Sequence, residues 1–542
     1  MLKVDLRKAY DSIEWSYLQT VLYELGFPQR FVDWIMACVS TVSYSILLNG
    51  KPCPPIPAKK GLRQGAKLQV DRRGSEEPFL FALGMEYLSR CLGALAHNPN
   101  FNYHPKCEKL HISHVMFADD LLMFARGDKE SIRLLLEAFH KFSASSGLTA
   151  NLDKSNLYLS RVNSTEVQEI LDMAQIPIGD LPFKYLGVPL TSRKLTYGEC
   201  KPLVEKMTTR VRNWASKSLS YAGRIQLVKS VLQGIQSYWS QIFLLPKKVL
   251  REIKKVCITF LWTGTDSTSK KAPVVAWEQL CLPKSAGGWN ILDVENWNQA
   301  AITKFYWSIA LKKEKLWIKW IHTYYIKNKD IWTMPIPNGI SWNMKKILES
   351  RKHLDANSLN QFTAKSGKFS IKKLYKHIIG ESVNVPWKRL ICNNIASPKS
   401  KFILWLAVLG RLATKDRLAQ RNVTQDAQCI LCNAAVETVD HLFCHCPSTL
   451  QVWTALFDLL HIQRQLRDFK EEVHYACAAA RRKSASAKAF VMCFTEAVSH
   501  IWCNRNACIF RGNTFQASQI VRTVIFCVTS RCDGSIRELL SS

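Results

Sequence analysis

The stretch Phe117-Ala118-Asp119-Asp120 constrains the fold of this chain more than any other. Val115-Met116 before it and Leu121-Leu122-Met123-Phe124 after it have the composition of β-strands, and they meet at two adjacent carboxylates. Strands joined so closely form a hairpin, and its tip lifts the acidic pair to where oxygen donors can hold divalent cations. A solvated turn satisfies the same four residues, so the reading rests on what accompanies them. Upstream, Lys3-Val4-Asp5-Leu6 reads as a short strand that delivers another carboxylate ahead of a helix. Downstream lies a cysteine and histidine cluster with metal spacing.

A chain of 542 residues accommodates several domains, and 47% hydrophobic residues with 17 tryptophans give each a core. Lysine and arginine number 74 against 43 aspartates and glutamates, a net charge of +31. That excess points to a polyanionic partner, because basic side chains neutralise phosphates and release counterions. The 18 cysteines are scattered from Cys38 to Cys532 behind no secretory signal, which excludes a small disulfide framework and favours the nucleus or cytoplasm. No apolar run approaches the ~20 residues that span a bilayer, so no membrane attachment is expected.

Local patterning predicts an α+β N-terminal region. Asp11-Ser12 is expected to cap a helix carrying Ile13, Leu18, Val21, Leu22 and Leu25 up to Gly26. Tyr44 to Leu48 reads as a strand turned by Asn49-Gly50, Pro78 to Leu92 as an apolar helix, and Ile112 to Ala125 as the acid-tipped hairpin. Asp128 caps the next helix and Gly147 stops it. Beyond about residue 190 the pattern becomes helical and basic. Lys201 to Leu232 suits either a grip on a nucleic-acid backbone or ordinary amphipathic helices, and the aromatics of 300–345 suit either base stacking or a core. Arg481 to Lys488 is the best short linker candidate.

In the C-terminal third, Cys429 and Cys432, then His441, then Cys446, give three thiolates and one imidazole, a closed tetrahedral set of the kind that holds structural zinc. Cys444 and His445 crowd the fourth position, and either could replace Cys446.

The blocks KVDLRKAYDSIEW, GLRQG, PFLFALGMEYLSR, FADDLLMFA, GLTANLDKS and KYLGVPL, in this order, resemble the reverse transcriptase of plant LINE-type (non-LTR) retrotransposons. The similarity continues through LSYAGRIQLVKSVL, WEQLCLPKSAGGWNI and CILCNAAVETVDHLFCHCP to WCNRNACIFRG. The resemblance implies an RNA-directed DNA polymerase that takes RNA template, DNA primer or target, and deoxynucleoside triphosphates. It implies a palm over 1–190, a helical thumb or connector over 191–345, a reverse-transcriptase zinc-binding domain over 360–460 and a helical tail over 461–542. Asp5 and Asp119 become the principal ligands of two Mg²⁺ ions and Asp120 a third, while Asp11 is left to capping. Tyr10 matches the ring beneath the incoming sugar, where it would clash with a ribose 2′-hydroxyl. Arg63, Gln64 and Gly65 match the block beside template and nucleotide, Lys154 a basic position near the triphosphate, and Tyr185-Leu186-Gly187 the primer grip.

The chain departs from that pattern in two places. After Gly65 an Asp-Pro-Leu-Ser-like tetrad is replaced by the twelve polar residues Ala66 to Glu77, and Met1 stands four residues before Asp5, without the fingers that precede this block in the family. The family's upstream endonuclease and an RNase H domain are likewise not expected. These departures imply a truncated enzyme that binds nucleic acid but extends a primer poorly, or a non-catalytic nucleic-acid-binding remnant.

Overall fold

The computed structural model describes residues 1–62, 77–215, 219–266 and 273–541. Two compact units emerge: Met1–Ser192 with Lys312–Pro337, and Arg193–Leu311 with Asn338–Ser542. The first mixes helix and sheet; the second is helical, with isolated β-bridges among its described residues. The stretch 191–345, expected as one connector, is therefore shared between the two.

In the first unit the strands order as His114–Phe117, Asp120–Met123, Leu2–Asp5 and Asn156–Leu157, all antiparallel. Leu2 and Val4 face the core together with Leu121 and Met123, as alternation along a pleated strand requires. Helices Trp15–Glu24, Glu77–Ala94 and Lys129–Ser146 pack into the same core, burying Leu18 and Leu22, Phe81 and Leu88, and Phe139 and Phe142. The last helix has the ends its sequence announces: Ser131 N–H donates to Asp128 Oδ1 at 2.8 Å, and Gly147 closes it at φ 74°. Asn49 and Gly50 also turn as expected, both at positive φ, pairing Leu48 with Lys51.

Three expectations need correction. Asp11 and Ser12 do not cap the first long helix; they lie in the short helix Ala9–Ser12, and Trp15–Glu24 starts after Glu14 with no side-chain cap. The backbone kinks there because Ile13 is drawn fully into the core. Arg481 to Lys488 is no linker: Ser484 caps the 27-residue helix Ala485–Arg511, which packs into the second unit's core. Phe79–His97 is long and apolar enough to cross a membrane, contrary to expectation, although Phe81, Met85, Leu88 and Leu92 are buried in the unit's own core.

The segment Lys312–Pro337 closes one side of the first unit. Trp320 Nε1 donates to the Lys106 carbonyl at 2.6 Å, Lys106 Nζ donates to the Tyr325 hydroxyl at 2.7 Å, and Lys109 N–H donates to the Tyr324 hydroxyl at 2.9 Å. Beneath it a cavity of about 720 Å³ is lined by Val115, Phe124, Tyr158, Leu316 and Trp317 among others. Tyr306 and Trp307 are core residues of the second unit. The aromatics of 300–345 thus serve packing in both units.

Gly61 fastens the chain just ahead of the undescribed 63–76 stretch. Its N–H donates to Ile13 O at 2.8 Å and its carbonyl accepts Trp15 Nε1 at 2.8 Å. At φ 90° it occupies a region other residues avoid, and a Cβ there would stand 2.7 Å from the Asp11 carbonyl oxygen. Gly61→Ala is expected to cost about 2 kcal/mol or more from strain and backbone displacement. An unchanged midpoint in urea unfolding would refute that role.

Candidate active site and metal centre

The hairpin that carries the acidic pair is tight: Phe117 pairs with Asp120, leaving Ala118 and Asp119 as a two-residue turn with Ala118 at φ 50°. Asp5 is in direct register with Asp120 on the neighbouring strand. Antiparallel partners stand with Cα atoms roughly 4.5–5.5 Å apart and side chains on the same face. Asp5 and Asp120 are half-buried and Asp119 is exposed at the turn. Burial, then the charges of Asp119 and Asp5, raise the Asp120 carboxyl above its ordinary range, against the pull of Lys3. Lys3 is occupied elsewhere, donating to Lys184 O at 3.2 Å and lying 5.4 Å from the Phe183 ring centre. Asp119 and Asp5 thus lie within electrostatic reach of Asp120, and carboxylate oxygens are the hard donors that suit Mg²⁺.

Asp5 is also tied through its main chain. Its N–H donates to Ser155 Oγ at 3.2 Å, its carbonyl accepts the Asn151 N–H at 2.7 Å, and Ser155 Oγ donates to Asn151 O at 2.7 Å. These bonds hold the 152–154 turn, with Lys154 exposed upon it, against the strand that ends in Asp5. Sequence spacing alone gives no sign of that connection. Tyr10 is half-buried and its ring stacks on Phe81, with centroids 4.5 Å apart. The Tyr185 hydroxyl is buried with no hydrogen-bond partner among the described residues, and burial together with Asp120 raises its pKa. Arg63, Gln64 and Gly65 lie outside the described residues, as do residues 66–76 of the polar replacement.

The cysteine and histidine set assembles in the second unit. One atom from each of Cys429, Cys432, His441 and Cys446 lies within 4.8 Å of the others. Cys429 Sγ is 4.0 Å from Cys446 Sγ, and Cys432 Sγ is 3.3 Å from His441 Nε2. Zn–S bonds of ~2.3 Å in a tetrahedron place sulfurs at nearly this spacing. A tight turn presents the first pair: Asn433, at φ 54°, donates its N–H to Cys429 O, and Cys429 N–H donates to Ala435 O, each at 2.8 Å.

Of Cys444, His445 and Cys446, a π-helical turn brings Cys446 beside Cys429, Cys432 and His441. His441–His445 is wound wide, and Cys446 N–H donates to His441 O at 2.7 Å, so the fifth residue on, and not the fourth, returns beside the imidazole. His445 Nε2 instead lies 3.2 Å from Asp468 Oδ1, and Cys444 is buried with its thiol pushed up by burial. Cys446 precedes the helix Pro447–Leu459. A hydrogen bond from Cys429, and further ones from the Ser448 and Thr449 N–H groups, hold its thiol below its ordinary range against the effect of burial.

Sequence reasoning missed the pair that seats this module. Arg505, 3% exposed, donates through Nε at 3.0 Å and through Nη2 to the fully buried Glu437 carboxylate, which also accepts the Lys415 N–H at 2.9 Å. Glu437 lies between the two ligand pairs and Arg505 in the helix Ala485–Arg511. An arginine inside that mostly apolar run was the one available signal. Arg505→Met strands a buried carboxylate and is expected to cost about 3–5 kcal/mol. Chemical denaturation reads the loss, and a change under about 1 kcal/mol would show that the pair does not hold the module.

The sequence model of the reverse transcriptase (RNA-dependent DNA polymerase) family matches residues 1–190, and that of the zinc-binding domain in reverse transcriptases matches residues 369–453. An Arabidopsis thaliana protein named "Putative ribonuclease H protein" is 23% identical over 48% of this chain and 56% of its own length. The retrovirus-related Pol polyprotein from type-1 retrotransposable element R2 of Popillia japonica is 25% identical over 44% of this chain and 38% of its own. The uncharacterized 149 kDa protein of transposon TX1 from Xenopus laevis is 26% identical over 48% and 19%. The chain thus spans about half of the first relative and less of the others. A match to the reverse-transcriptase model thus stands ahead of a match to the zinc-binding domain found in such enzymes, and retrotransposon polyproteins are among the proteins to which the chain is similar.

Proposed function

We propose that this chain is an RNA-directed DNA polymerase of a non-LTR retroelement, taking an RNA template, a DNA primer or target and deoxynucleoside triphosphates. The observation that carries the reading is the register of Asp5 against Asp120, with Asp119 in the adjoining turn. In this reading the four-stranded sheet is the polymerase palm, and the basic helices from Tyr197 to Thr263 are the thumb or connector. Asp5, Asp119 and Asp120 hold two Mg²⁺ ions, which supply Lewis-acid stabilisation of the attacking primer oxygen and of the leaving pyrophosphate. Lys154 meets the triphosphate from the turn bonded to Asp5. Tyr10, backed by Phe81, fills the space a ribose 2′-hydroxyl would need. Tyr185, Leu186 and Gly187 face the primer, and Arg63, Gln64 and Gly65 the template and nucleotide. Cys429, Cys432, His441 and Cys446 bind one structural Zn²⁺, with no position left for catalysis. A nuclear or cytoplasmic location, where these thiols stay reduced, completes the proposal.

Primer extension on an RNA template with Mg²⁺ tests it, run beside a gel-shift assay on the same preparation. Template-directed extension supports the reading. Nucleic-acid binding without extension would favour a protein that keeps the fold but not the turnover, as the replaced tetrad after Gly65 also suggests.

A further inference from the structure

The blocks around LVKSVL and LPKSAGGWNI are left unused by the chemistry above, and in the second unit they meet. The chain from Lys284 to Gly288 is a tightly fixed turn. Trp405 Nε1 donates to Gly287 O at 2.8 Å, a Cβ on Gly287 at φ 84° would stand 2.9 Å from the Trp387 ring, and one on Gly288 would fall 2.1 Å from Leu282 O. No larger residue fits at either glycine. The turn presents Lys284 outward, 5.7 Å from the centre of the buried Trp289 ring. Gln233 Nε2 donates to Leu292 O at 3.0 Å, which holds the helical segment carrying Lys229 against the same stretch.

Lys229 and Lys401 are half-buried, and each lies within electrostatic reach of Lys284. Burial lowers the pKa of both, and the Lys284 charge lowers it further. Among the described residues no carboxylate pairs with Lys229 or Lys284. Lys401 donates to Asn394 O at 3.0 Å and feels Glu496, whose oxygens accept the Ser397 N–H at 2.7 Å and the Ser400 hydroxyl at 2.6 Å. Lys284 on its rigid turn thus has a like charge in Lys229 and another in Lys401, which costs free energy in the free protein, and an anion set beside Lys284 would offset that cost.

We propose that Lys229, Lys284 and Lys401 form a contact site for the phosphate backbone of a bound nucleic acid, separate from the carboxylate site of the first unit. The site reads no sequence, because phosphate contacts position a strand without distinguishing its bases. It rests on the nucleic-acid-binding part of the proposed function and does not depend on polymerase turnover.

The test compares the full chain with Lys229→Gln/Lys284→Gln and with Lys229→Arg, using fluorescence anisotropy of a labelled single-stranded 20-mer, as RNA and as DNA, across a salt series. Losing two phosphate contacts on a single strand lowers the slope of log affinity against log salt by about 1.4. The double variant should show that shift with both strands, Lys229→Arg should retain the parent slope, and the double variant without nucleic acid should melt no lower than the parent. A parent that binds steeply while the double variant keeps its slope would overturn this site alone; absence of salt-dependent binding by the parent would instead remove the nucleic-acid reading. A shift with RNA alone would assign the site to template, and with DNA alone to primer or target. A double variant that melts lower than the parent would show that the lysines serve packing and would overturn the proposal.

Discussion

Asp119→Ala is expected to reduce template-directed primer extension by ~10³-fold or more, about 4 kcal/mol of lost transition-state stabilisation. Asp119 projects from the hairpin turn, exposed, while Asp5 and Asp120 sit behind it in register. Its removal leaves two carboxylates for ions that three would hold, and no neighbouring side chain in the turn can substitute. The same change removes a like charge beside Asp120, whose carboxyl is already held above its ordinary range by burial and by Asp119. In a chelator-containing buffer the variant should therefore melt at or slightly above the parent. Loss of activity without loss of stability distinguishes a metal-holding role from a structural one. Robust extension by the variant, or a fall in melting temperature to match its inactivity, would sink the assignment.

Removing metal from the second unit should have the larger structural effect. Stoichiometric zinc is expected in the purified chain, lost on Cys432→Ser and retained on Cys444→Ser. Structural zinc supplies about 10–16 kcal/mol of apparent binding energy in isolated finger peptides. The module here also rests on the buried Arg505–Glu437 pair, so the expected outcome is local opening, not global unfolding. Hydrogen exchange read over 426–446 should rise on chelation, while exchange in the middle of the Ala485–Arg511 helix stays slow. A Cys432→Ser chain with full zinc, or a Cys444→Ser chain without it, would refute the ligand set.

What could be read in advance depended on how local the determinant was. The acid-tipped hairpin, the Asp128 and Gly147 ends of one helix and the Asn49-Gly50 turn are written in a few consecutive residues, and each formed as expected. The ligand spacing of the metal centre was equally local, but its fourth member was not. Choosing Cys446 over Cys444 or His445 required the π-helical turn, and a one-residue widening leaves no mark in composition. The misplaced capping role of Asp11 has a related cause. A capping residue followed by apolar periodicity looked sufficient, yet burial of Ile13 set the chain direction and moved the helix start to Trp15. Arg505 with Glu437, and the bonds from Asn151 and Ser155 to Asp5, join residues 68 and about 150 positions apart, beyond the reach of any pattern within one element.

The return of residues 312–337 to the first unit also bears on how this protein is made. The unit's first part ends at Ser192 and its last begins at Lys312, so the 119 residues 193–311 must be synthesised between them. At roughly 5–20 residues per second, that is an interval of about 6–24 s on the ribosome. Throughout it, the surface that later meets Trp317 and Trp320 is uncovered, with Val115, Phe124 and Tyr158 around an apolar hollow. Residues 1–192 released at that stage would carry this open face, where nascent chains stick to one another or recruit chaperones. A fragment ending at 192 should therefore expose this face where the full chain covers it, and the vulnerable moment in this protein's production falls midway through its translation.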